Sequence, residues 1–123
     1  MSNIVLIGAN HAGTAAANTI LDNYPQEHLT VFDCNNNISY LGCGTALWVG
    51  RQIEGPDGLF YSNANILENK KATVHMETRV ESIDFNTKKI YAKDKNGNEI
   101  IKDYDKLILA TGSLPIRPQI AGI

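Results

Sequence analysis

At 123 residues with 43% hydrophobic side chains, the chain can build one domain with a real core and is too short for two. Eleven basic and thirteen acidic side chains give a net charge of −2 and form no basic block, which argues against nucleic-acid or anionic-membrane partners. Two cysteines make neither a disulfide framework nor a metal-ligand spacing, and the early apolar run Ile4–Ile7 is too short for a signal segment or a membrane span.

Asn3 to Ile7 reads as a short buried parallel strand that starts almost at Met1, leaving no room for a cleaved targeting segment. A reduced, cytoplasmic protein without a bound metal is therefore expected. His11 to Asn23 reads as a helix in which Ala12, Ala15, Ala16 and Ala17 permit close packing on a sheet, with Pro25 enforcing the exit. Leu29 to Asp33 is a second buried strand, completing a right-handed βαβ unit. The polar loop Asn35-Asn36-Asn37 leads to Ser39-Tyr40-Leu41-Gly42-Cys43-Gly44 and a short helix ending near Gly50. Glu54 to Gly58 is a connection, and Ser62 is expected to cap a helix from Asn63 to Lys71. Thr73 to Met76 reads as a third parallel strand. Arg79 to Asp84, Lys89 to Lys93 and Glu99 to Lys102 read as an antiparallel meander with turns at Asn86-Thr87 and Asn96-Gly97. Tyr104 to Leu109 returns to a buried strand, and Pro115, Pro118 and Gly122 read as a linker. The expected fold class is thus α/β, a parallel sheet plus an antiparallel β-meander.

Gly8-Ala9-Asn10-His11-Ala12-Gly13 follows a strand and opens a helix, the context of a dinucleotide fingerprint. Gly8 makes the tight turn, Gly13 allows close helix–sheet packing, and N–H groups at the helix start face a pyrophosphate. Asp33 lies twenty residues beyond Gly13, placed to accept hydrogen bonds from a ribose diol and to disfavour a 2′-phosphate. Asn10 replaces the middle glycine; asparagine tolerates unusual backbone angles, so the turn survives. The fingerprint alone leaves FAD and NAD open. Cys43, between two glycines and ahead of a helix, is poor core material; a helix start favours an ionised sulfur, and glycine neighbours let a planar ligand approach. Cys34 reads as a buried small side chain near the adenosine end. His28 and His75 read as structural or exposed, Lys70-Lys71 and Lys88-Lys89 as solvated pairs, and Trp48 and Tyr40 as core.

These segments, with Leu107-Ile108-Leu109-Ala110-Thr111-Gly112-Ser113, resemble the NADH oxidase/NADH peroxidase group of the FAD-dependent pyridine nucleotide-disulfide oxidoreductases. Leu41-Gly42-Cys43-Gly44 with Ala46-Leu47-Trp48 is most similar to the water-forming NADH oxidases. The resemblance implies a three-layer Rossmann-like FAD/NAD(P)-binding domain. It assigns FAD binding to the fingerprint, Asp33, Cys43, the Val80 backbone and Ala110 to Ser113, and catalysis to Cys43 and His11. His11 would serve as proton acceptor or hydrogen-bond partner of peroxide oxygens, and Cys43 would cycle between thiolate and sulfenic acid. Cysteines four residues apart, as in the disulfide-reducing relatives, are absent around Cys43. The implied substrates are NADH with O2 or H2O2, in a homo-oligomer. NADH peroxidase and coenzyme A disulfide reductase are the alternative activities, and a non-catalytic nucleotide-binding fragment is the alternative of another class. Because such subunits are several times longer, residues 1–113 are expected to form the N-terminal part of an FAD-binding domain. Residues 114–123 would then link to an NADH-binding domain, and a sheet without its final strand would leave an apolar edge beside Tyr104 to Leu109.

Overall fold

The computed structural model describes residues 1–123. Strand β1 (Asn3–Ile7) leads through helix α1 (His11–Asn23) to strand β2 (His28–Phe32), which pairs with β1 in parallel. A 3₁₀ turn at Gly42–Gly44 runs straight into the short helix α2 (Thr45–Val49). A second 3₁₀ turn (Pro56–Leu59) and helix α3 (Ala64–Asn69) lead to β3 (Thr73–His75). Strands β4 (Thr78–Asp84), β5 (Lys89–Asp94) and β6 (Glu99–Asp103) form an antiparallel sheet of their own. The last strand, β7 (Lys106–Leu109), pairs with β1, so the parallel sheet has the order β3-β2-β1-β7. The expected α/β architecture with its meander is observed.

Two apolar clusters flank the parallel sheet and define three layers. On one face Ile4, Leu6, Leu29 and Val31 pack against Ala17 and Leu21 of α1 and Leu67 of α3. Successive strand side chains alternate faces, so Val5 and Phe32 point the other way and meet Ile90, Ala92 and Tyr104 at the meander. Helix α1 buries Gly13, Thr14, Ala17 and Leu21, a stripe at helical spacing. Of the alanines expected to face the sheet, only Ala17 is fully buried; Ala12 and Ala15 are exposed. Aspartates close both hairpin turns: Asp84 Oδ1 accepts from the Asn86 and Thr87 N–H groups, and Asp94 Oδ1 from those of Asn96 and Asn98.

Several local expectations are corrected by long-range contacts. Asn63, not Ser62, caps α3, its Oδ1 accepting from Ile66 N–H at 3.1 Å. Ser62 is engaged elsewhere, by Ser39. Strand β7 begins at Lys106, because Tyr104 donates its N–H to the Lys88 carbonyl and packs into the meander cluster. As the edge strand, β7 leaves Leu109 55% exposed. Lys70 is not simply solvated: its Nζ reaches Asn18 Oδ1 at 3.0 Å and Asp22 Oδ1 at 2.7 Å, tying α3 to α1. Lys89 pairs with Asp103 across β5 and β6. Both ion pairs are exposed and contribute little stability. Trp48 lies on the surface rather than in the core, and Cys34 is exposed rather than buried, because the chain turns outward after Asp33.

Candidate functional site

The strand register sets the site. Ile7 lies between Phe32 and Leu109, and Phe32 lies beside His75, so all four parallel strands end in one row. The next residues, Gly8, Asp33, Met76 and Ala110, lie at the carboxyl edge. Strand β1 is also where the chain order reverses, between β2 on one side and β7 on the other. Ligands of open α/β sheets bind at such a switch point.

At this edge the turn from β1 into α1 is closed tightly on itself. Gly8 has φ +99°, and a Cβ there would lie 2.0 Å from the Ala110 carbonyl oxygen. A Cβ on Gly13 would lie 1.9 Å from the Gly8 carbonyl oxygen. Both glycines are therefore required by backbone approach. Asn10 does not hold the left-handed conformation that favours glycine, its φ being −88°. The first helical bond runs from Thr14 N–H to the Asn10 carbonyl, leaving the N–H groups of His11, Ala12 and Gly13 without an acceptor in the chain. No acidic residue stands in this first turn. Three free donors at the positive end of a thirteen-residue helix suit an anion.

Asp33 is 8% exposed. Its Oδ2 accepts from Ala9 N–H at 2.7 Å and its Oδ1 from Asn35 N–H at 2.8 Å. Each bond uses part of a carboxylate's capacity, so the same oxygens can take further donors such as the hydroxyls of a diol. Ala9, Asn10, Asp33, Asn35, Asn37, Ile38, Ser39, Tyr40 and Phe60 line a cleft of about 320 Å³. Behind the strand ends, His75 stacks on Phe32 with ring centroids 4.7 Å apart. Burial, then the charge of Lys102, holds its imidazole below the ordinary value.

Cys43 sits on a loop braced at several points. Ser39 is fully buried with φ +61°, and its N–H donates to the Ala9 carbonyl at 3.0 Å. Its hydroxyl donates to the Ser62 carbonyl at 2.9 Å and accepts from the Ser62 N–H at 2.8 Å. Leu41 N–H donates to the Leu59 carbonyl at 2.7 Å, and Tyr40 bridges Phe60. The Tyr40 and Thr45 hydroxyls meet at 2.6 Å, spanning the cysteine. Gly44 is buried against Leu59, whose Cδ2 would lie 2.4 Å from a Cβ placed there. Held this way, Cys43 is exposed rather than sunk in an apolar interior.

His11 opens α1 with its ring exposed; its Nδ1 lies 3.2 Å from the Tyr61 hydroxyl and the two rings stack at 9°. Thus Gly8, Ala9, Asn10, His11, Ala12, Gly13, Asp33 and Ala110 gather at the carboxyl edge, and the cysteine loop adjoins them through Ser39 and Tyr40. Thr111, Gly112 and Ser113 continue from that edge and are exposed, with Gly112 at φ +70°. Val80 stands apart, packed against the meander cluster at a β-bulge and outside the cleft lining. Its strand is nevertheless anchored at the site, since Thr78 N–H donates to the Asp33 carbonyl at 2.9 Å. Two residues of this assembly, Ser39 and Tyr61, carry no local sequence signal. Their partners lie 23 and 50 positions away.

A family profile described as pyridine nucleotide-disulphide oxidoreductase matches residues 2–123. The NADH oxidase of Lactococcus lactis subsp. cremoris is 58% identical over 119 residues, 97% of this chain and 27% of that protein. The NADH oxidase of Streptococcus pneumoniae is 55% identical over 124 aligned positions, covering 100% of this chain and 27% of its own length. Among solved structures, the water-forming NADH oxidase from Lactobacillus brevis superposes with a TM-score of 0.93 at 38% identity, covering 98% of this chain and 27% of that one. The chain thus spans about a quarter of the length of these relatives.

Proposed function

The chain belongs to the pyridine nucleotide-disulphide oxidoreductase family, and from that premise we propose that it is the flavin-binding part of an NADH oxidase that reduces O2 to water. The observation that carries the proposal is the pairing of a nucleotide-shaped carboxyl edge with an exposed, braced cysteine on the adjoining loop. The identities to NADH oxidases support the same reading.

FAD fits the residues present. The Gly8 and Gly13 approaches leave the α1 N–H groups uncovered for a pyrophosphate. Asp33 offers a buried, oriented carboxylate for a ribose diol. Ala110 to Ser113 and the Val80 backbone would complete the contacts, and residues 1–113 would form this part of the flavin domain, with 114–123 leading toward an NADH-binding domain. When bound, FAD supplies the two-electron transfer between NADH and the oxidant.

The residues of the chain have separate tasks in this account. Asp33 and the first turn of α1 bind and orient the nucleotide. The Ser39–Ser62 and Tyr40–Thr45 contacts hold the Cys43 loop against thermal displacement. The first NADH reduces O2 to hydrogen peroxide; Cys43, as thiolate, attacks one of its oxygens, breaks the O–O bond and releases hydroxide, becoming a sulfenic acid. Two electrons from a second NADH return it to thiolate, with its oxygen lost as water. His11 stands by as hydrogen-bond partner of the oxygen atoms. Peroxide would then not escape, and two NADH would be used for each O2.

The test is the ratio of NADH consumed to O2 consumed by the flavin-loaded full-length oxidase that contains this chain, with peroxide measured in parallel. The expected ratio is two without free peroxide, and Cys43→Ser should lower it toward one as peroxide accumulates. A Cys43→Ser protein that still makes water alone would refute the role of Cys43. Turnover of added peroxide but not of O2 would instead identify an NADH peroxidase.

A further inference from the structure

Residues 59–62 form a strut between the cysteine loop and α1. The Leu59 carbonyl takes the Leu41 N–H, Phe60 bridges Tyr40, and Ser62 is doubly bonded to Ser39. Tyr61 lies between these contacts and reaches a different element. Its hydroxyl stands 3.2 Å from His11 Nδ1, and its ring stacks on the imidazole at 5.7 Å between centroids.

We propose that Tyr61 is a positioning residue for His11: its phenol donates to Nδ1, fixes the proton on Nε2, and so makes Nε2–H a standing hydrogen-bond donor to an oxygen-bearing anion such as peroxide or a sulfenate. The proposal rests on the reading of His11 as part of the reaction site. Its physical basis is the inequality of the two groups. A phenol O–H is a good donor, a neutral imidazole nitrogen without a proton is a good acceptor, and the reverse bond would spend the ring proton on a weaker acceptor. The bond made by one ring nitrogen sets the state of the other. An exposed histidine on the first turn of a helix otherwise samples several rotamers and both tautomers. The stack and the hydrogen bond together select one. Because the strut also holds Ser39 and Tyr40, a single segment sets both the histidine and the cysteine loop.

The experiment uses the flavin-loaded full-length oxidase that contains this chain, labelled with ¹⁵N-histidine, in which His11→Gln identifies the His11 signals. The expected result is an Nε2–H tautomer for His11 in the parent protein and a mixed tautomer in Tyr61→Phe, which keeps the stacked ring. In steady state Tyr61→Phe should lower kcat about fivefold to tenfold, the effect of one hydrogen bond, with KM for NADH unchanged. In a His11→Gln background the same change should have no further effect. An unaltered His11 tautomer in Tyr61→Phe overturns the proposal, and so does an equal loss of kcat with and without His11. Should His11→Gln leave turnover intact while the tautomer still shifts, the pairing stands and the assignment of His11 to the reaction fails.

Discussion

Replacing Gly13 with alanine is the sharpest test of the turn that builds the site. On helix propensity alone the change should stabilise α1 by up to about 1 kcal/mol. Geometry opposes it, because the new methyl would lie 1.9 Å from the Gly8 carbonyl oxygen and 2.7 Å from its carbon. Both obstructing atoms are backbone, so no rotamer relieves the overlap. To reach even 3.0 Å the turn and the helix must separate by about 1.1 Å, in a segment whose other side abuts Ala110. Overpacking costs about 1–3 kcal/mol, and with no rotamer to relieve it this case falls at the upper end, about 3 kcal/mol, which outweighs the propensity gain. We expect a net loss of about 2 kcal/mol, hence a fall in Tm of roughly 5–10 °C for a domain of this size, together with loss of flavin, because the α1 N–H groups move. Differential scanning calorimetry and the flavin-to-protein absorbance ratio measure the two effects. Gly58→Ala is the control, since no atom lies within 4 Å of the methyl there. A Gly13→Ala protein as stable and as yellow as its Gly58→Ala counterpart would refute the reasoning.

Asp33→Asn should weaken flavin at least tenfold in a fluorescence titration: a carboxamide has one acceptor oxygen, and Ala9 and Asn35 both present N–H groups to this side chain. Ser39→Ala should destabilise the protein by about 2 kcal/mol in urea unfolding, since it removes the one hydroxyl that pairs with both the N–H and the carbonyl of Ser62. His75 adds a pH dependence. Its folded-state value lies below the ordinary 6.5, so its contribution is complete above that value and is lost as pH falls from 6.5 through the folded value. His75→Phe, which keeps the stack on Phe32, should shrink the difference between urea midpoints measured at about pH 8 and about pH 5.

What could be read from the chain was what is encoded locally. Strand periodicity, the Gly8–Gly13 spacing and the Asn96-Gly97 turn located β1, α1, β2 and the meander, each set by its own residues. Asp33 was legible because its register with the glycines is a sequence distance, and Cys43 because its neighbours are unsuited to a core. Features that depend on distant partners were not. Ser39 holds a left-handed backbone conformation, and nothing in Asn37 to Tyr40 announces Ser62 as the partner that maintains it. The same contact takes Ser62 from the helix cap and leaves that task to Asn63. The outward turn after Asp33 exposes Cys34, although a cysteine following a buried strand favours burial. Trp48 reached the surface because α2 is only five residues long and buries none of them. Tyr61 reads as an ordinary aromatic until its 3.2 Å approach to His11 is seen.

The sulfur of Cys43, on the loop adjoining the nucleotide edge, is the proposed redox centre. Its most direct measurement is trapping with a sulfenic-acid reagent after the NADH-reduced full-length oxidase meets one equivalent of peroxide, followed by peptide mass spectrometry. Cys34, which is also exposed, serves as the internal comparison. The expected result is an adduct on Cys43 that disappears when excess NADH is present, and none on Cys34. Equal labelling of the two cysteines, or an adduct on Cys34 alone, would contradict it.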